Sequence, residues 1–451
     1  MALTGIDIYK LLPKTNCAEC GVPTCLAFAM KIAAGQAELS SCPHLSEDAK
    51  EALSEASAPP IRAVTVGKGD KALKIGSELV MFRHEKTFYN PCGFALLLED
   101  TMGDEEIADK LKQLNDSQFV RVEQTLRADI VAVKASSGKP EMFVELIEKV
   151  RAATDLPLML MSVDPEIVHA GLAVAGDSSP LIYGANKDNL EKMAELAKAH
   201  GVPLAVISSN GLEELVSLSE KAGSLGVKDL VLDPGTRNVK DTLQNLVFMR
   251  RSALLKKVRA LGYPTVVFPG EETDDETMEA IAAGIYTIKY GSIIVLNDLE
   301  PQKALPLFVL RQNIYTDPQR PMQVKQGVYT IGQPEEASPV LVTTNFSLTY
   351  FIVSGEVEAS RVPSWLCVMD VEGLSVMTAW AAGKFVPEKI APFLKSSGIA
   401  DQVKHRKLVI PGYLSQISGE LEDELGDGWN VIVGPREAGD LPAFLKAWSA
   451  S

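Results

Sequence analysis

Short apolar runs bounded by turn residues recur along the middle of the chain, at 94–98, 129–134, 156–161, 181–183, 204–207, 230–232, 265–268 and 292–296. Between them lie stretches with apolar positions every three or four residues, such as 141–153, 189–200 and 212–222. Continuous apolar runs suit strands buried on both faces, and the intervening spacing suits helices that bury one stripe. Eight strands, each followed by a helix-length segment, predict a closed (β/α)8 TIM-type barrel. Alternation alone also permits an open doubly wound sheet; the count of eight favours closure. Ahead of the barrel, 61–66 and 76–84 read as a short antiparallel β preamble.

The pattern breaks at Thr316-Asp-Pro-Gln-Arg-Pro321 and resumes on a smaller scale. Strands are expected at 340–343, 366–369, 408–410 and 431–433, and helices at 374–382, 387–395, 414–424 and 441–448. That is the signature of a doubly wound α/β domain with a mostly parallel sheet. At the other end, a block reaching to about residue 56 is followed by Ser57-Ala58-Pro59-Pro60, a linker by its turn residues. A chain of 451 residues exceeds what one core usually serves. The expected domains are a small helical block at 1–58, a barrel with its preamble at 59–318, and the α/β domain at 319–451.

Charge narrows the partners. Lys and Arg total 44 against 59 Asp and Glu, a net −15, which repels phosphate backbones and argues against nucleic acid. The first residues have no basic segment followed by a long apolar run, and no apolar stretch is long enough for a bilayer, so a cytoplasmic protein without a membrane segment is expected. Disulfides rarely persist there, so the six cysteines need another account. Cys92 and Cys367 stand far from the others and read as small buried hydrophobes.

Cys17, Cys20, Cys25 and Cys42 have the spacing C-x2-C-x4-C-x16-C. Four thiolates can cage a 4Fe–4S cube, and short intervals let one turn of backbone supply three corners. Gly21 permits close approach of backbone, Thr24 stands where a helix N-cap is needed, and Cys25 then falls in the first turn of a helix running towards Gly35. The helix dipole favours a thiolate there. Zinc is the competitor, but its usual signature is two C-x2-C pairs, and only one is present. His44 and Lys14 flank the loop; His44 reads as a solvated surface histidine rather than a tuning group.

In open α/β sheets, ligands sit beyond the carboxyl ends of the strands. Those ends carry Thr343, Thr344, Asn345 and Phe346, then Asp370, Val371, Glu372, Gly373, Leu374 and Ser375, then Gly412, then Gly434. Small residues and backbone N–H groups there offer a floor for a large flat ligand. Ser375, Ala379 and Ala382 form a narrow small-residue face, which close helix–sheet packing explains equally well. No G-x-G-x-x-G follows the first strand, which argues against a dinucleotide.

The segments KTNCAECGVPTCLAFAMKIAAG and SCP at one end, with TTNFSLTYFIVSGEVE and MDVEGLSVMTAWAAGKF at the other, resemble the large subunits of corrinoid iron–sulfur proteins of the reductive acetyl-CoA pathway. The resemblance spans all three blocks. It implies a cluster domain, a central barrel and a C-terminal corrinoid-binding domain, paired with a smaller barrel subunit in a heterodimer. It also implies that a bound cobamide accepts a methyl group from methyltetrahydrofolate through a methyltransferase and passes it to acetyl-CoA synthase/CO dehydrogenase. The cluster would return inactive Co(II) to Co(I). Carried over by motif, the cluster ligands are Cys17, Cys20, Cys25 and Cys42, and the corrinoid contacts are the strand-end residues named above. Many corrinoid domains supply a lower axial histidine from a D-x-H-x-x-G loop. None of the five histidines here stands in one, and His169 comes nearest with the wrong spacing. The cobalt is therefore expected to lack a protein imidazole, which eases access to Co(I).

Two other readings stay open from sequence. The chain could be an electron-transfer iron–sulfur subunit with no corrinoid of its own, or a methyltransferase acting through its barrel. In the barrel, Asp233-Pro-Gly-Thr-Arg237 and Asn210 follow strands and read as loop caps rather than a pterin site. Phe268-Pro-Gly-Glu-Glu272 reads as a turn with solvated acids.

Overall fold

A computed structural model describes residues 5–33, 37, 41–46, 59–122, 124–319, 321–426 and 428–448. Part of the expected linker (57 and 58), the expected helix stop at Gly35 and Arg320 of the second break lie outside the described residues. The chain divides into two compact units. The second gathers the chain from Tyr315 onward together with Phe82–Thr87 and Gln118–Leu126; the remainder forms the first.

At the start of the first unit, helices Gly5–Leu11 and Cys25–Ala33 pack around Ile8, Leu12, Val22, Phe28, Ala29 and Leu45. Next come β1 (Val64–Val66) and β2 (Leu73–Ile75), paired antiparallel. The expected preamble is thus half right. Its second strand lies at 73–75 rather than 76–84, because Gly76, at φ +83°, turns the chain out of the ladder.

The barrel follows. Its strands are β3 (Gly93–Glu99), then, after the hairpin β4 (Phe119–Arg121) and β5 (Gln124–Leu126), β6 (Ile130–Lys134), β7 (Leu158–Met161), β8 (Leu181–Ala185), β9 (Leu204–Ile207), β10 (Leu230–Asp233), β11 (Val266–Val267) and β12 (Ile293–Leu296). All eight expected strands are present. Each pairs in parallel with its neighbours in chain order, and β12 returns to β3. The last gap closes where Leu232 N donates to Pro264 O at 2.8 Å and Leu232 bridges Thr265. This is a closed barrel.

Ala95, Leu97, Ile130, Met159, Tyr183, Val231 and Phe268 fill its interior, with Val64, Val66, Leu73 and Ile75 of the preamble in the same cluster. Gly67 N donates to Ser179 O and Arg62 N to Gly262 O, both just ahead of strand starts. The preamble therefore plugs the N-terminal end and leaves the other end for loops.

In the second unit, β13 (Gly327–Ile331), β14 (Val340–Thr344), β15 (Ser364–Met369), β16 (Lys407–Ile410) and β17 (Asn430–Val433) form one sheet in the order β13-β15-β14-β16-β17. Within it only β13 runs antiparallel, an edge strand absent from the sequence expectation. Val340, Val342, Cys367 and Leu408 face Phe385, Ile390, Leu394 and Leu421 on one side. Leu341, Leu366, Val368 and Val409 face Val357, Leu441 and Leu445 on the other. Both faces are covered, as doubly wound sheets require. The expected helix at 414–424 divides into a 3-10 segment Gly412–Ile417 and an α-helix Ser418–Leu425.

Candidate functional site

The chain carries two candidate centres, one built on thiols and one on a sheet edge. In the first, the loop before Cys25 is wound by left-handed residues, Lys14 (φ 59°), Asn16 (φ 50°), Ala18 (φ 62°) and Gly21 (φ 76°). Three of these are not glycine, and such conformations persist only where the surroundings dictate them. Asn16 Oδ1 accepts Cys25 N at 2.8 Å, which ties the loop to the helix start. Thr24 Oγ1 accepts Ala27 N at 3.1 Å, so Thr24 is the N-cap the sequence suggested and Cys25 sits in the first turn. Asn16 was not singled out from sequence; an amide next to the first cysteine was the available signal.

All four cysteines are free thiols, Cys17 exposed, Cys20 half-buried, Cys25 and Cys42 buried at the edge of the small apolar core. A mononuclear tetrahedral zinc with Zn–S of about 2.3 Å would draw its sulfurs to about 3.8 Å of one another. Among the described residues no three of these sulfurs lie within 4.8 Å of each other; the set that does is Cys17, Glu19 and His44. His44 is exposed, as expected, yet paired, with Nε2 2.9 Å from Glu19 Oε2.

The second centre follows from strand order. The chain leaves β14 to one side for β15 and later returns on the other side as β16, so the C-terminal ends of β14 and β16 flank a topological switch point. A cavity of about 240 Å³ opens there, lined by Thr343, Ile352, Val353, Met377, Pro411, Gly434 and neighbours. Ile352, Met377 and Tyr413 are large apolar side chains left exposed at its rim. The Oγ1 atoms of Thr343 and Thr344 are buried without any hydrogen-bond partner. A buried hydroxyl without a partner costs about 1–3 kcal/mol, and of these two only Thr343 lines the cavity, since successive strand residues face opposite sides of the sheet. The helix after β14, Ser347–Ser360, has no side-chain N-cap, and a helix start of this kind favours an anion.

The other strand-end residues divide by use. Asn345 is buried and spends its amide internally, Oδ1 accepting Val371 N and Gly373 N, Nδ2 donating to Asp370 Oδ1 and Gln323 Oε1. Asp370 Oδ1 also accepts Glu372 N, Ser375 Oγ lies 2.9 Å from Thr378 Oγ1, and Leu374 packs against the core. Phe346 begins the helix Ser347–Ser360. Gly412 is required by its neighbours, since a Cβ there would lie 2.4 Å from Gly434 O and 2.7 Å from Arg436 N. The structure thus brings Thr343 and Gly434 to the cavity wall and makes Asn345, Val371, Gly373 and Gly412 its scaffold. The lining residues Ile352, Val353 and Met377 were not named from sequence, where they pass for ordinary helix positions. His405 sits at the opposite end of its strand, Nε2 2.8 Å from Ser338 O and Nδ1 accepting Lys407 N.

The barrel mouth is satisfied from within. Tyr183 OH donates to Asp233 Oδ2 at 2.6 Å, and Arg237 bonds both Asp233 oxygens and Glu271 while lying 4.7 Å over the Phe268 ring. Burial pushes the Tyr183 phenol well up from its ordinary value. Asn210 Nδ2 donates to Glu214 at the start of the next helix. The loop-cap reading of Asp233–Arg237 and Asn210 matches these bonds. Glu271 and Glu272 are not merely solvated: Glu271 meets Arg237 and Lys134, and Glu272 accepts from Tyr286 OH and Thr242 Oγ1. Barrel folding brings distant partners to these acids that the local sequence could not show.

Among known proteins, residues 63–445 match the family of the CO dehydrogenase/acetyl-CoA synthase delta subunit, and residues 12–44 match a family model for an Fe–S cluster. The corrinoid/iron-sulfur protein large subunit of Moorella thermoacetica is 45% identical over 452 residues, covering 100% of both chains. The acetyl-CoA decarbonylase/synthase complex subunit gamma of Methanothermobacter thermautotrophicus is 36% identical, covering 99% of each. Among solved structures, a dihydropteroate synthase from Thermus thermophilus aligns with a TM-score of 0.39 at 17% identity, covering 56% of this chain and 99% of that one.

Proposed function

Since the chain belongs to the family of corrinoid/iron–sulfur protein large subunits, we propose that it is a methyl-group carrier that binds a cobamide at the switch point of its second unit and a 4Fe–4S cluster at Cys17, Cys20, Cys25 and Cys42. When bound, the corrinoid supplies a cobalt atom that accepts and gives up the methyl group, and the cluster supplies the single electron that returns Co(II) to Co(I). The chain's own residues do the holding. Cys25 and Cys42 present thiols at the edge of an apolar core, where water is scarce, and Cys17 and Cys20 close the set from the exposed loop. The sequence spacing of the four cysteines, with a single C-x2-C pair, and the Fe–S family match over residues 12–44 support the cluster.

The observation that carries the corrinoid half is the orphaned hydroxyl of Thr343 in the wall of an apolar cavity at a switch point. At about 240 Å³ the cavity is smaller than the roughly 300–1,000 Å³ that usually houses a drug-sized ligand. It would hold one aromatic part of the cofactor, and the exposed apolar Ile352, Met377 and Tyr413 would pack against the rest. The phosphate that links base to macrocycle suits the uncapped helix start at Ser347. His405, engaged at the far end of its strand, supports a cobalt without a protein imidazole.

Relatives named as gamma subunits of acetyl-CoA decarbonylase/synthase complexes support partner subunits for this chain. We propose a small barrel subunit as the heterodimeric companion, a methyltetrahydrofolate:corrinoid methyltransferase as donor and acetyl-CoA synthase/CO dehydrogenase as acceptor. No helix among the described residues is long and apolar enough to cross a membrane. The test is anaerobic reconstitution with iron, sulfide and a cobamide, followed by metal analysis and an absorption spectrum. One cobalt and a four-iron cluster per chain are expected. Iron without cobalt would leave only an electron-transfer subunit, and zinc in place of iron would remove the redox role.

A further inference from the structure

The hairpin β4–β5 interrupts the barrel's chain, yet it packs in the second unit. Its tight turn places Val122, a β-branched residue, at φ +50°. Such residues avoid the left-handed region, so the turn is held there by what surrounds it. Arg121, the last residue of β4, sits with its guanidinium 5.1 Å over the Phe351 ring and Nη1 3.4 Å from Met322 Sδ. Arg121 thereby links a residue of helix Ser347–Ser360, Phe351, to Met322, which is bonded to that helix's first residue. Met322 O accepts Ser347 N at 3.0 Å, and Phe351 lies one turn further on, beside Ile352 and Val353 of the cavity wall. No side chain caps this helix, so its first turns depend on packing contacts of this kind.

We propose that Arg121 is a positioning residue for the cofactor cavity, tying Phe351 in the first turns of helix Ser347–Ser360 to Met322 from a hairpin that the barrel's chain supplies. The proposal rests on the corrinoid reading for its consequence, though the tie itself is a property of the chain alone. A cation over an aromatic face is worth enough that its loss weakens ligand uptake roughly three- to thirty-fold. A lysine keeps the charge and the stem but not the planar stacking, so it recovers part of the effect.

The experiment uses the full chain, anaerobically purified, with cobalamin as probe and corrinoid absorbance as readout. Arg121→Ala and Phe351→Leu should each weaken binding by a similar factor, the double variant no further than either, and Arg121→Lys less. Val120→Ala, on the exposed neighbour in the hairpin, should bind as the parent does. Hydrogen exchange of amides 347–353 in cofactor-free protein should quicken in Arg121→Ala. Unchanged exchange, or additive losses in the double variant, would overturn the proposal. If the parent chain itself takes up no cobalamin, the corrinoid reading fails, and the exchange experiment still decides whether Arg121 holds the helix.

Discussion

Asn345 Oδ1 accepts the backbone N–H of Gly373 at 3.0 Å, and the same oxygen accepts Val371 N at the same distance, so one buried amide fixes the loop after β15 to the end of β14. Removing it by Asn345→Ala strands two backbone donors at about 1–3 kcal/mol each. The second unit should lose about 2–6 kcal/mol in urea unfolding, and amides 371–373 should exchange faster. Asn345→Asp should be worse than its size suggests, because the new carboxylate would face Asp370 without the Nδ2 donor. An alanine variant with parental stability and exchange would show that the loop is held some other way.

Gly412 makes a separate demand. A methyl group there would meet the backbone of Gly434, Pro435 and Arg436 at 2.4–2.7 Å, and backbone cannot step aside as a flexible side chain can. Gly412→Ala should therefore spread the ends of β16 and β17, lower the melting temperature and reduce cobamide uptake. Iron content should stay at the parental value, because the thiols belong to a different core. Equal loss of iron would mean that the whole chain, rather than one sheet edge, had been disturbed.

The sheet order explains how far sequence could reach. The eight barrel strands and the four parallel strands of the second unit were legible because each is apolar on both faces and brief, a pattern a surface helix does not mimic. The edge strand Gly327–Ile331 was not, since its residues are only half-buried and it lies just past a break in the pattern. The strand ends were correctly located, but sequence could not separate wall from scaffold. Thr343 and Asn345 are two residues apart on one strand end, and only the fold shows that the first lacks a partner while the second has four. The hairpin β4–β5 defeats sequence reasoning for a related reason, because its packing partners lie about 200 residues away.

Burial sorts the six thiols by reactivity. Lack of solvent pushes the Cys92 thiol up to about 11 and the Cys367 thiol up to about 12, so at pH 8 only about one in 10³ to 10⁴ would be thiolate. In metal-stripped, folded protein, iodoacetamide at pH 8 should modify Cys17 and Cys20 and leave Cys92 and Cys367 untouched. Adding denaturant should expose all six. Mass spectrometry of the digested chain reads both outcomes, and fast labelling of Cys367 under native conditions would contradict its place in the core.

Glu272 offers a pH test of the barrel mouth. Burial raises its carboxyl above the ordinary 4.5, while bonds from Tyr286 and Thr242 pull it partly back. A raised folded-state value means that its contribution to stability is fully present below the unfolded value and is lost as pH rises through the folded one. Glu272→Gln removes that loss. Whatever the fixed cost of the substitution, the melting difference between variant and parent should shift in the variant's favour between pH 4.5 and pH 8. A pH-independent difference would mean that the carboxylate is as well solvated in the fold as outside it.

The division of labour between the two centres is tested at Cys20. Its side chain is half-buried in the loop between the left-handed residues Ala18 and Gly21, and Sγ makes only a long contact of 3.9 Å to Val22 O. Little of the small core depends on it, so Cys20→Ala should fold with helices Gly5–Leu11 and Cys25–Ala33 intact. Three thiolates hold an iron cube poorly, and iron content and visible absorbance should fall severalfold after anaerobic reconstitution. Cobamide uptake, which relies on residues of the second unit, should remain at the parental level. The variant should then still take a methyl group once its corrinoid has been reduced chemically, but should not recover from oxidation with a low-potential electron donor. Parental iron content in Cys20→Ala would remove this cysteine from the ligand set and reopen the choice among Cys17, Cys25, Cys42 and the nearby Glu19–His44 pair.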